Sequence, residues 1–254
     1  MAKDKQLELT EEFVERIRAA AGENLVSVIL YGSAAEGEFH ANYSRLDLLC
    51  LLRDTSYSSL EKLMDLVDWW QAKKHRPPLL LSPGELKTSA DVFSIEFLDM
   101  KQRYRVLYGE DVLRTLEIPM ALHRFQIEYE IREKLVLLRQ HLLIAGKNEK
   151  QLWEVMLHSL SSFTTLFRHI LLELGQSGRK HSREAVTELA ARLNFSPAAF
   201  VQLMDIRAGQ RDRKQLQAVA VATEYLRIIE QVAAAVDTIE VRPKLAADVE
   251  GKPL

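Results

Sequence analysis

The sequence predicts a small mixed-sheet α/β unit followed by an all-α bundle. Three observations carry that reading. Up to about residue 115, short apolar runs alternate with helical patterns. Beyond it, apolar residues recur at helical spacing almost to the end. Only 10 glycines and 7 prolines occur in 254 residues, which favours long regular elements over many short strands and turns.

The elements follow in order. Thr10, with Glu11 and Glu12 behind it, marks an early helix: acids sit at the positive end of the dipole, and Phe13, Val14, Ile17 and Ala21 share a face. Gly22 ends it. Leu25–Tyr31 is a β-branched run broken by Gly32, hence a strand. Leu46–Leu52 is a second, buried strand. One helix is expected from Thr55–Ser59 to about Lys74, stopped by Pro77-Pro78. Leu79–Leu81 is a short strand, and Ser82-Pro83 with Glu85 is a helix start. Val92–Leu98 alternates, with Phe93, Ile95 and Phe97 on one side and Ser94 and Glu96 on the other, and predicts a half-buried strand. Asp99–Leu107 is expected to be helical, with a turn at Tyr108-Gly109.

From about Met120 the spacing predicts helices over Leu122–Ala145, Lys150–Leu174, Ser182–Leu193, Ser196–Gly209 and Arg213–Ile239. The short breaks between them favour antiparallel neighbours in a bundle. Val241–Leu254 has no helical stripe and is expected to be a loose tail. The expected division is residues 1–115, residues 116–240 and the tail.

Composition excludes several function classes. With 34 basic and 36 acidic side chains, the net charge of -2 offers no general attraction for nucleic acid. The basic clusters at Arg179–Arg183 and Arg207–Lys214 lack interleaved aromatics for base stacking. Nucleic acid is therefore not the expected partner. One cysteine, Cys50, excludes an intramolecular disulfide framework and a multi-cysteine zinc site. No apolar run reaches the roughly 18 residues of a membrane span, and the first residues carry no signal-peptide core, so a cytoplasmic protein is expected. Leucines along the bundle helices permit a homodimer.

Chemistry concentrates in Val28–Leu52. A strand ends in Gly32-Ser33, and Asp47 stands near the start of the next strand. Glycine lets the backbone approach a triphosphate, backbone amides and a serine hydroxyl donate to phosphate oxygens, and a neighbouring carboxylate can hold a divalent metal against them.

These residues resemble the polymerase-β-type nucleotidyltransferase superfamily, in particular its kanamycin-nucleotidyltransferase-like and minimal branches. Leu30-Tyr31-Gly32-Ser33 matches the first half of the family signature, and Ser44-Arg45-Leu46-Asp47-Leu48 lines up with its Ser-Asp-x-Asp-Leu half. The resemblance implies phosphate binding by Gly32, Ser33, Ser44 and Arg45, and catalytic and metal-binding roles for Asp47. It implies a third carboxylate on a later strand, best matched by Glu96, with Asp99 as fallback. It implies magnesium, a nucleoside triphosphate, and transfer of a nucleoside monophosphate to a hydroxyl or phosphate acceptor that the sequence does not name.

One position departs from the pattern. Arg45 stands where the family has its first aspartate, which changes the charge there by two units and removes a shared metal ligand. Magnesium binding is weakened, so the expectation is impaired transfer or, alternatively, a non-catalytic nucleotide- or protein-binding module. Arg45 could pair with Asp47 or Glu96, or clamp phosphate directly. Glu36 or Glu38 could substitute as a ligand. His40 and Tyr43 are read as loop residues, Cys50 as core, and Trp69-Trp70 as a helix end packing inward. His158 and His169, three turns apart on one helix, are too distant to share a metal.

Overall fold

The computed structural model describes residues 2–36, 46–176 and 180–238. The chain begins with helix α1 (Ala2–Ala21), strand β1 (Leu25–Tyr31), a short 3-10 turn (Gly32–Glu36) and strand β2 (Asp47–Leu52). There follow α2 (Tyr57–Glu61), α3 (Met64–Ala72), β3 (Leu79–Leu81), α4 (Pro83–Thr88), α5 (Ser94–Gln102) and β4 (Tyr104–Gly109). The rest is helical: α6 (His123–Ala145), α7 (Glu149–Glu173), α8 (Ser182–Leu193), α9 (Ala198–Arg207) and α10 (Ala218–Val236).

The four strands form one sheet in the order β3-β2-β1-β4. β1 is antiparallel to both neighbours, and β2 runs parallel to β3. Both faces are covered, which is why β1 and β2, apart from Ser27 and Asp47, are apolar runs rather than alternating. On one face Val28, Leu30, Leu48, Cys50 and Leu52 pack with Phe13, Ile17 and Trp70. On the other, Ile29, Leu49 and Leu51 pack with Leu86, Phe97, Met100, Leu113 and Leu116. The helical half has its own core across α6 to α10, and Ile95 of α5 joins it. Among the described residues no helix is long and apolar enough to cross a membrane.

Many boundaries meet expectation. β1 spans the anticipated residues, and α8 does the same. Ser82 caps α4 in a capping box: its hydroxyl accepts from Glu85 N, and the Glu85 carboxylate accepts from Ser82 N. The single helix expected between residue 55 and Lys74 is instead two, α2 and α3, separated at Lys62 and Leu63. The last helix also starts later: Arg213–Gln215 is a 3-10 turn and α10 begins at Ala218. Residues 241–254 lie outside the described residues.

The larger correction concerns residues 92–107, where helix and strand are exchanged. Ser94–Gln102 is helix and Tyr104–Gly109 is strand. α5 buries apolar residues on two sides: Ile95 enters the bundle core, while Phe97 and Met100 enter the sheet core. A helix apolar on two faces loses its 3.6-residue signature and mimics alternation. Its amino terminus is capped from a distance by Gln126, whose amide oxygen accepts from Ser94 Oγ at 2.7 Å and Ile95 N at 3.2 Å.

Gly109 closes β4 with φ +78°, and a Cβ there would lie 2.0 Å from the Val26 carbonyl oxygen. The buried Ser27 hydroxyl donates to the carbonyls on either side of it, Tyr108 at 3.1 Å and Glu110 at 2.7 Å. Gly109→Ala combines a left-handed backbone with a main-chain clash, so it is expected to lower unfolding free energy by about 2–4 kcal/mol, measurable by urea denaturation.

Candidate nucleotide site

The site begins where β1 ends. Tyr31 is the last strand residue, paired across the sheet with Asp47 on one side and Tyr104 on the other. Gly32 then turns the backbone with φ +76°, and its N–H donates to the Arg103 carbonyl at 2.9 Å. The 3-10 turn Gly32–Glu36 follows at once. A Cβ on Gly32 would lie 3.9 Å from Asp47 Oδ2, an ordinary contact. The glycine is therefore required by the backbone angle and not by crowding.

Asp47 opens β2 and is half-buried. The backbone just before it is anchored: Leu46 N donates to His75 Nδ1 at 3.2 Å, and the His75 ring stacks on Trp70 with centroids 4.5 Å apart. Trp70 is fully buried against Phe13. The core thus fixes where Asp47 enters the sheet.

Glu96 belongs to α5 and not to a strand. Its Oε2 accepts from Gln126 Nε2 at 3.0 Å. Burial, aided by the nearby charge of Glu130, holds its carboxyl above the usual range. The Tyr31 phenol is pushed well above its ordinary value by burial first and by Asp47 second, with Glu96 adding a smaller push and Arg76 opposing. One phenol therefore feels the charge of both carboxylates, although they arrive on different kinds of element.

Other candidates are placed as follows. Asp99 is committed elsewhere: its Oδ1 accepts from Arg168 at 2.7 Å, with Arg103 at 3.7 Å and His169 at 4.0 Å. Cys50 is fully buried and burial raises its thiol, as expected of a core residue. Lys101 donates to the Leu116 carbonyl. Ser33 lies in the 3-10 turn by its backbone. Ser44, Arg45, Glu38, His40 and Tyr43 lie outside the described residues.

Sequence reasoning missed a buried polar cluster beside the site. His123 is fully buried; its Nδ1 lies 2.5 Å from Glu173 Oε1 and its Nε2 lies 2.9 Å from His169 Nδ1. His169 was set beside His158 on its own helix, whereas its partner is 46 residues away on α6. No local spacing signals such a pair. His158 instead contacts the Glu154 carbonyl. Gln126 was equally invisible, being one amide among the polar residues of a long helix.

Among the described residues no three His, Cys, Asp or Glu side chains converge to hold an ion. Asp47 stands beside Gly32, but Glu96 arrives on α5 with its Oε2 already accepting from Gln126 Nε2, so the described residues alone do not assemble a two-magnesium set.

Residues 10–107 match the family model described as a nucleotidyltransferase domain. This stretch is similar to nucleotidyltransferase domains. The match runs from α1 through most of β4 and includes Gly32, Asp47 and Glu96. Comparison with curated protein sequences finds no match. Among solved structures, the chain is similar to spectinomycin adenyltransferase from Enterococcus faecialis, determined with ATP and spectinomycin. The TM-score is 0.52 at 15% identity, covering 86% of this chain and 98% of that one. The similarity of fold therefore extends past residues 10–107 into the helical half.

His169 makes the domain junction acid-sensitive. Burial, then its neighbour His123, lowers its pKa from 6.5 to about 3. The folded state favours the neutral ring, so this stability is complete above pH 6.5 and is lost as pH falls toward 3. Unfolding free energy is expected to fall by up to about 1.4 kcal/mol per pH unit just below that range. Urea titrations between pH 7 and 5 should show that slope, and His169→Gln should flatten it.

Proposed function

We propose that this chain binds a nucleoside triphosphate at the Gly32–Ser33 turn, with impaired nucleotidyl transfer because Arg45 replaces the first metal-binding carboxylate. The observation that carries the proposal is the turn itself. A positive-φ glycine follows β1 beside Asp47, its own N–H bonded to the Arg103 carbonyl, and the 3-10 turn behind it would present the next backbone amides to phosphate oxygens. The structural neighbour was determined with ATP, which supports a nucleotide as partner. Residues 1–115 would carry this site and residues 116–240 would support it. Arg45 would offer phosphate a bidentate guanidinium in place of a bridging ion.

Glu96 favours a second reading, in which some transfer survives. A carboxylate with raised pKa works as a general base nearer neutral pH than an ordinary one. It would accept the proton of an acceptor hydroxyl as that oxygen attacks the α-phosphorus and pyrophosphate leaves.

Thermal-shift titration with ATP, with and without magnesium, separates these readings. The binding reading expects a stabilising shift that survives chelation, and its loss or a tenfold weakening in Arg45→Ala. No shift with any nucleoside triphosphate would overturn it. Residual transfer of labelled nucleotide, abolished by Glu96→Gln with binding intact, would establish the second reading. Arg45→Asp is expected to make nucleotide binding magnesium-dependent, since it restores an acid next to Asp47.

A further inference from the structure

Helix α6 is apolar on two opposite sides. One side, Ile127, Ile131, Leu135, Leu138 and Ala145, is buried in the bundle core against α7 and α10. The other carries Phe125, Tyr129, Val136 and Leu143 with Leu122 at the helix start, and all of these are exposed. Tyr129 is 66% exposed and Leu143 82%, and Ile144 beside it is 78% exposed. These positions recur at intervals of three, four and seven residues, so they form one stripe along the helix, roughly 35 Å long. Scattered exposed apolar residues are ordinary; two apolar patches aligned on one face of one helix are not.

We propose that this stripe is the interface of a homodimer, in which α6 packs antiparallel against α6 of a second copy. Three features favour a second copy as the occupant. The first is area. The exposed parts of Leu122, Phe125, Tyr129, Val136, Leu143 and Ile144 sum to something on the order of 700 Å2, close to the about 800 Å2 per partner of a standard interface.

The second is self-complementarity. The stripe has apolar residues at each end and a polar middle at Arg132 and Glu133. A two-fold axis passing between residues 132 and 133 sets Leu122 opposite Leu143 and Tyr129 opposite Val136 of the other copy. Polar middle then meets polar middle. A two-fold interface must be self-complementary in this way, whereas a foreign partner imposes no such symmetry.

The third is charge. The basic residues flanking the stripe already have partners within the chain. Arg132 pairs with Glu128 and Asp237, Arg124 with Glu128, and Arg139 with Glu230. The face offers no uncompensated basic rim to recruit an acidic partner or to repel its own copy.

The test is hydrodynamic and geometric. Sedimentation equilibrium of the full chain at about 1–50 µM is expected to show a dimer. The double variant Tyr129→Glu/Val136→Glu is expected to shift it to monomer, at least tenfold in dissociation constant, with an unchanged melting temperature measured on the monomer. Register is read by cross-linking. Mixing Tyr129→Cys with Val136→Cys chains should give a faster disulfide between the two variants than within either one. The native Cys50 is buried and does not compete. A full chain that stays monomeric at 50 µM overturns the proposal, whether another protein or its own residues 239–254 cover the stripe. A dimer that survives the double variant overturns it equally, because the contact then lies on another face.

Discussion

The amide of Gln126 is the interaction on which the arrangement of both halves depends. Its oxygen takes the first donors of α5, and its nitrogen donates to Glu96, so all its polar atoms are used across a separation of about 30 residues. Ser94 is fully buried, and without this partner its hydroxyl would be stranded at a cost of about 1–3 kcal/mol. The same contact decides that residues 94–102 are helical, turns Ile95 toward the bundle, and holds the Glu96 carboxyl in its shielded position. A single side chain of the helical half thus caps α5 and holds a carboxylate of the sheet-bearing half.

A second polar route runs behind it. His123 meets His169, His169 approaches Asp99, Asp99 holds Arg168 and Arg103, and the Arg103 carbonyl receives the N–H of Gly32. These groups come from α5, α6, α7 and the start of β1's outgoing turn. Each is buried or half-buried, so their mutual hydrogen bonds offset desolvation that would otherwise be prohibitive. The Gly32 turn therefore rests on the helical half through charge as well as through apolar packing.

How much of this was legible follows from the range of each signal. β1, β2 and β3, the Ser82 capping box and the helices beyond residue 122 are written in local periodicity and local chemistry, and apart from the later start of α10 they are found close to where expected. Gly32 and Asp47 could be singled out because a strand-end glycine and a strand-start acid leave a mark within about twenty residues. Residues 92–107 could not be read correctly, because α5 is capped by Gln126 and buried on two sides, both consequences of tertiary contacts. Glu96 was chosen from an alternation that does not exist in the fold, yet its charge, like that of Asp47, reaches the Tyr31 phenol. The His123–His169 pair is a contact between α6 and α7 with no local trace.

The placement of β1 has a consequence for how the chain acquires its shape. β1 pairs with β2 through a modest loop, but its other neighbour, β4, lies some eighty residues downstream, with Ser27 opposite Gly109. Closing that pairing requires a long entropic search, whereas α6, α7 and α8 meet mostly in order along the chain. On the ribosome, the strand that leads into the Gly32 turn must wait, with one edge open, until residue 109 has emerged. The helical half has a like delay, since α6 is covered by α10 only after residue 218 has followed.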